Sequence, residues 1–290
     1  MTDSSATPAP RGGIRGARRP RPIARAAAYA YLGLLLAFFM IPILYAVVTA
    51  LQPPAVSLEP TPQWLFAPTL ENFVSLFRDY EFLGPTLNSL QSSIVSALLA
   101  LVVGAPAAYA LSRARVSAAG FLGFWLLAAR ALPAIGLAIP AYAIFTQIGL
   151  GDTIPALLIV YLPFNVALAT ILLKVFLDGV PTDIDEAAAI DGAGPLRTLL
   201  VVIMPIARPG LASVTIMAFL FSWNNFLFPL VLTGNNAATI PLVLQQFLGS
   251  YTLQWNQVMA GVVLLSLPLI VLAGFFGKYM VGGLAAGSVK

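Results

Sequence analysis

The sequence predicts an all-α membrane protein with six transmembrane helices and both termini on the cytoplasmic side. Three observations predict it. Hydrophobic residues make up 59% of the 290, with a mean hydropathy of +0.91, whereas soluble domains are nearer half apolar. These residues collect into six runs, each long enough to cross a bilayer as a helix. Placing the N-terminus inside also puts every Lys and Arg in or beside a cytoplasmic segment, except Arg78 outside and Arg130 within a span. The opposite orientation reverses that bias.

Composition removes several function classes. The chain has no Cys and no His, which excludes thiol catalysis, disulfides, Cys or His metal sites and histidine acid–base chemistry. No metal site and no cofactor are expected. The net charge of +4 does not point to nucleic acid, because the basic residues sit in loops beside the spans, where they act as orientation signals. There is no glycine-rich phosphate loop, so any ATP that drives this protein must be bound by a separate chain.

Residues 1–25 carry Arg11, Arg15, Arg18, Arg19, Arg21 and Arg25 among Pro, Gly, Ser and Ala. Such a stretch cannot bury a core and is expected to be a disordered basic cytoplasmic tail, either an orientation signal or a lipid-headgroup or regulatory segment. The six-helix transmembrane domain is expected over 26–290. Its first span, 26–51, is long enough to be retained rather than cleaved, with a kink at Pro42. The external segment 52–84 has Glu59, Glu71, Asp79 and Glu81 against one basic residue, Arg78. Within it Leu70, Phe73, Val74 and Phe77 fall at helical spacing and predict a short amphipathic helix along the membrane surface, a cover or a contact for a binding protein.

The second span is 85–111 and the third 118–146, holding Arg130, Pro133 and Pro140. An arginine inside a span costs about 2.5–3.5 kcal/mol on insertion scales, so Arg130 must face protein or water. It either lines a polar route or ties two helices through backbone carbonyls. The fourth span is 153–177, the fifth 209–232 and the sixth 257–281, with an external loop over 233–256. Trp223, Asn224 and Asn225 interrupt the fifth span; amides in a bilayer need partners, so they serve interhelical hydrogen bonds or a sugar. Gly104 and Gly123 are expected to let helices pack closely.

Between spans four and five lies a polar insert, the cytoplasmic loop 178–208. Thr182 and Asp185 have capping-box spacing, predicting a first short helix through Ile184, Ala187 and Ala188. Asp191-Gly192 ends it, glycine supplying the left-handed conformation. Gly194-Pro195 opens a second helix, with proline at its first position. There Leu196, Leu199, Leu200 and Ile203 are expected to share one face, closed by Pro205 and Pro209. Two short helices at an angle make a knob that another protein's groove could accept.

The residues Glu186-Ala187-Ala188, Asp191-Gly192-Ala193 and Pro205 resemble the EAA loop of the membrane-spanning subunits of binding-protein-dependent ABC importers. The sequence departs from the family at Leu199, often phenylalanine there. Trp64 to Phe73, the Trp223-Asn224 segment and the tail 282–290 look like the maltose-type carbohydrate group. The resemblance implies a type I ABC importer permease fold in the plasma (inner) membrane. It also implies a non-enzymatic transport subunit that works by alternating access. Its partners would be a cytoplasmic ATPase dimer, a second permease subunit in a heterodimer, an extracytoplasmic binding protein, a sugar or polyol and membrane lipid. Glu186, Ala187, Ala188, Asp191, Gly192, Ala193, Leu196, Leu199 and Pro205 would couple to the ATPase; Arg130, Trp223, Asn224 and Asn225 are candidates for the translocation path. The alternatives are an ion-coupled secondary transporter, which needs intramembrane carboxylates that no span carries well inside it, and a membrane scaffold.

Overall fold

The computed structural model describes residues 22–57, 65–113, 118–248 and 255–286. Most of the basic tail, Glu59, Trp64, Arg115 and the last residues of the C-terminal tail lie outside the described residues. Every regular element described is helical: α1 (Pro22–Ala50), α2 (Pro54–Ser57), α3 (Glu71–Asp79), α4 (Leu83–Arg113), α5 (Ala118–Ala131), α6 (Ala134–Gln147) and α7 (Ile154–Asp178). Then come α8 (Asp183–Ile190), α9 (Pro195–Arg197), a π-helical segment (Thr198–Ile203), α10 (Met204–Ile206), α11 (Arg208–Trp223), α12 (Leu227–Leu232), α13 (Ile240–Leu248) and α14 (Trp255–Ala286).

Among the described residues four helices are long and apolar enough to cross a membrane, or up to six if each of two bent pairs, α5 with α6 and the α9–α10 stretch with α11, is counted as one span. The described residues divide into two compact units between Tyr45 and Ala46. α1 starts at Pro22, inside the stretch expected to be disordered, proline being well suited to a first helical turn. In the first unit α1 exposes its described side chains, Leu35 alone being half-buried.

The second unit is built on α4 against α7. α4 turns a strip of small residues inward, among them Ser89, Ser93, Ser96, Ala97, Ala100, Gly104 and Ala108, which lets the backbones approach. At Gly104 a Cβ would come within 2.7 Å of the Ala169 Cβ, so this glycine closes the α4–α7 contact as expected. Gly123 does not play that part, since a Cβ there would meet nothing within 4 Å. In the middle of the unit Asn165 of α7 donates to Ser96 Oγ on α4 (2.7 Å) and Ser222 Oγ on α11 (2.9 Å). Three helices thereby share one buried amide.

Three expectations need correction. The third span is not continuous: α5 and α6 meet at 83°, because Pro133 has no N–H and disfavours helical backbone at Leu132. The fifth span stops at Trp223 and restarts as α12, where Asn225 Oδ1 accepts from Phe228 N (3.1 Å). The external loop 233–256 contains a helix, α13, whose Ile240, Leu242, Leu244 and Phe247 are buried. The turn-forming run Gly234-Asn235-Asn236 ends before it, and the helical spacing begins at Ile240. A short helix does form where the spacing of Leu70, Phe73, Val74 and Phe77 placed one: in α3 the buried residues are Asn72, Ser75 and Leu76, while Leu70 at its N-cap, Val74 and Phe77 face outward.

Two connections, the turn at Asp152 and the loop after α12, are clamped together. Asp152 takes a left-handed φ of 55° and its carboxylate accepts from the backbone N–H groups of Gly234 (2.7 Å), Asn236 (3.0 Å) and Ala237 (2.9 Å). The Asn236 amide adds a fourth donor at 3.0 Å. Asn88 holds the same loop through the carbonyls of Asn236 and Ala238, both at 2.9 Å.

Candidate functional site

The insert between α7 and α11 forms a knob whose local shape follows the sequence closely. α8 begins at Asp183 and carries Asp183, Asp185 and Glu186 in its first turn, where acidic groups complement the helix dipole. It ends in a Schellman motif: Ala193 N bonds Ala188 O (2.9 Å) and Gly192 N bonds Ala189 O (3.0 Å), with Gly192 at φ +81°. Gly194 is then extended, and Pro195 occupies the first turn of α9, as expected.

The capping box does not form. Thr182 has helical backbone and makes no side-chain cap bond, its carbonyl taking the Asp185 N–H (2.9 Å), and the Asp185 carboxylate is engaged elsewhere. Tyr109 donates its hydroxyl to Asp185 Oδ1 at 2.5 Å, and Arg113 Nη2 lies 2.9 Å from Oδ2, in an ion pair with both side chains largely buried. Arg113 Nη1 also donates to Leu177 O (3.2 Å). Beside this pair, Asp178 accepts from Ser112 Oγ (2.7 Å) and is bridged by Lys174 at 2.7 Å. The knob is thus fastened at one carboxylate to the end of α4. Sequence reasoning missed Tyr109 and Arg113; their i, i+4 spacing put them on one face, but nothing local said that Asp185 would meet them.

The second half of the knob departs from a simple α-helix. Thr198–Ile203 is π-helical, and the wider turn separates the four aliphatic residues expected on one face. Leu199 and Ile203 are buried in a cluster with Leu173, Leu177, Ala207 and Val214. Leu196 (63% exposed) and Leu200 (52%) point away from it. Pro205 does not close the helix, which runs on to Ile206 before the chain turns by 87° into α11. Gly210, not singled out in the sequence, sits where a Cβ would strike the Phe176 ring at 2.6 Å.

Of the residues expected to couple, Glu186, Ala187, Asp191, Gly192, Leu196 and Pro205 are exposed and Ala193 is half-buried. Ala188 and Leu199 are buried and hold the knob's shape from within. With Ile190 and Leu200 also exposed, the outer surface is a small apolar patch edged by acidic groups.

The expected path residues do not form one cluster among the described contacts. Arg130 is exposed at the α5–α6 break, where it donates to Phe164 O (3.4 Å) and lies 5.8 Å over the Phe221 ring. Trp223 is only 1% exposed; its Nε1 donates to Leu265 O (2.9 Å) and it stacks on Phe219. It therefore locks α11 to α14 instead of offering an open face. Asn224 is exposed, with its amide on Leu220 O (3.0 Å), and Asn225 starts α12. Among the described residues no cluster of acidic side chains could hold a metal ion.

Residues 100–284 match the protein family described as binding-protein-dependent transport system inner membrane component. The trehalose transport system permease protein SugB of Mycobacterium tuberculosis is 35% identical over 225 residues, covering 77% of this chain and 82% of the relative. The trehalose/maltose transport system permease protein MalG of Thermococcus litoralis is 33% identical over 231 residues, covering 77% and 81%. In fold, a chain from the crystal structure of a bacterial ABC transporter involved in the import of the acidic polysaccharide alginate aligns with a TM-score of 0.72 at 22% identity, over 89% of this chain and 96% of that one.

Proposed function

Because the chain belongs to the family of inner membrane components of binding-protein-dependent transport systems, we propose that it is one permease subunit of an ATP-driven importer for a sugar or related polyol. An extracytoplasmic binding protein delivers the solute, a second permease subunit completes the pathway, and a separate pair of ATPase chains hydrolyses ATP. The trehalose and maltose transport named for two relatives supports the solute class. Both termini lie in the cytoplasm with loop 178–208, an orientation supported by the distribution of Lys and Arg.

The observation that carries the reading is the glycine-ended knob, fastened through Asp185 to α4. Its exposed Glu186, Ala187, Asp191, Gly192 and Leu196 meet the ATPase, while Ala188, Ala193, Leu199 and Pro205 keep its shape. Closure of the ATPase dimer then pushes on α8, and the Asp185 contacts carry the displacement into α4, whose seam with α7 runs through the membrane. Arg130 and Asn224, exposed at two helix breaks, are the path residues this arrangement favours. The ion-coupled alternative needs a carboxylate well inside a span, and the sequence carries none there.

The test is purification of the tagged chain from its own membranes in mild detergent, followed by mass spectrometry and then by uptake into vesicles with the co-encoded binding protein. Recovery of an ATPase and a second permease, with ATP-dependent sugar uptake, is expected. A chain recovered alone in several detergents, or uptake driven by an ion gradient without ATP, contradicts the proposal.

A further inference from the structure

α3 is held at the level where three spans end. Asn72 Nδ2 donates to the carbonyls of Ala50 (2.8 Å) and Gln52 (2.7 Å), at the end of α1. Gln257 Nε2, in the first turn of α14, donates to Ser75 Oγ (3.0 Å), and Asn256 Nδ2 reaches Gln52 O (3.0 Å). α4 starts at Leu83, directly after α3. These bonds hold the helix against the span ends and keep it from projecting away from them.

An amphipathic helix on a soluble protein buries its apolar stripe. α3 divides its apolar residues between two sides: Leu76 is buried with Asn72 and Ser75 and Phe73 is half-buried, while Leu70 at the N-cap, Val74 and Phe77, at i, i+4 and i+7, face outward with 65%, 48% and 42% of their surface exposed. Leaving such a stripe in water forgoes burial worth roughly 1.5–3 kcal/mol for each large aliphatic or aromatic side chain. Glu71 and Arg78 pair at 3.2 Å and, by helical spacing, lie on a flank between the two faces. Tyr80 and Trp255, both partly exposed, stand at the same level, as aromatic residues do at a membrane boundary. The outward strip of α4, Leu83, Leu87, Ile94 and Leu98, continues from α3 into the span.

We propose that α3 is a lipid anchor, with its Asn72–Ser75–Leu76 side docked on the protein and its Leu70–Val74–Phe77 stripe resting in the headgroup–acyl boundary of the leaflet on that side. The anchor fixes the depth of the ends of α1, α4 and α14. With Glu71 and Asp79 against Arg78 the helix has no positive balance, so the contact is apolar and does not depend on anionic lipid.

The chain has no cysteine, so single nitroxide labels can be placed at V74C, F77C and R78C. The variants are purified with their partner subunits and reconstituted in bilayers of phosphatidylethanolamine, with and without phosphatidylglycerol. Labels at 74 and 77 are expected to collide severalfold more with oxygen than with a water-soluble nickel chelate, the label at 78 showing the reverse, in both lipid mixtures. Labels at 74 and 77 reached by neither reagent are covered by protein, which overturns the proposal. Nickel collisions as frequent at 74 and 77 as at 78 place the stripe in water and overturn it too. The readout is lipid contact, so it is independent of which solute is carried, and either labelled stripe position suffices if the other variant fails to assemble.

Discussion

Asp185 in the first turn of α8 and Arg113 at the last residue of α4 form an ion pair of 2.9 Å, the link between the exposed knob and the membrane-spanning core. A charge-assisted contact of this kind contributes about 1.5–3 kcal/mol. Since 1.4 kcal/mol is tenfold in a population, removing it should loosen the knob by tenfold or more. Asp185→Asn is therefore expected to insert and to retain ATPase association, while uptake falls roughly tenfold. Asp183→Asn, one turn position away and exposed, should leave uptake unchanged. Undiminished transport in Asp185→Asn rules out this route of coupling.

Gly192 has φ +81° with open space around its missing side chain, so a substitution there is strained by backbone and not by crowding. A non-glycine residue in this conformation costs about 1–2 kcal/mol. Gly192→Asp, which also adds a charge next to Asp191, should be present in the membrane at normal levels and lose transport. Gly194→Ala, with φ −72° and nothing nearby, is the matched control and should transport. Equal activity of the two variants contradicts a conformational role for Gly192.

At Gly104 the constraint is space. A Cβ would stand 2.7 Å from the Ala169 Cβ, so Gly104→Ala is expected to destabilise the α4–α7 seam by about 1–3 kcal/mol. The second-site change Ala169→Gly should restore much of the lost thermal stability in detergent. Failure of that rescue shows that the seam is not what limits stability.

The Asp152 clamp predicts a pH dependence. Burial works to raise the carboxyl, but the backbone N–H groups of Ala237, Asn236 and Gly234 and the Asn236 amide outweigh it and hold Asp152 below its ordinary value. A depressed carboxylate contributes stability that is complete above its unfolded value, near 3.9, and is lost as pH falls through the lower folded value. Asp152→Asn should therefore lower the melting temperature at pH 7, and the gap to the parent chain should close below about pH 4. A gap constant from pH 7 to pH 3 would show that packing, and not the charge, holds the loop.

Much of the architecture was legible in the sequence because its causes are local. Six apolar runs, the stop at Gly192, the start at Pro195 and the close approach at Gly104 each depend on a few neighbouring residues or on composition. The family resemblance rested on equally local motifs, Glu186-Ala187-Ala188 and Asp191-Gly192-Ala193 among them, and residues 100–284 carry the family match.

What the sequence by itself determined, then, was the set of spans and the shape of the first half of the knob, since backbone preference and hydropathy act along the chain. Only the tertiary structure decided which faces are covered. An apolar side chain is as well accommodated by lipid as by a protein core, so periodicity could not show that α3 turns Asn72 and Ser75 inward, nor that Leu199 is buried and Leu196 free. It likewise decided where polar groups find partners: Trp223 on Leu265, Asn165 on Ser96 and Ser222, Asp185 on Tyr109 and Arg113. A buried donor or charge must be satisfied, and the group that satisfies it stands wherever folding brings it, far away in sequence.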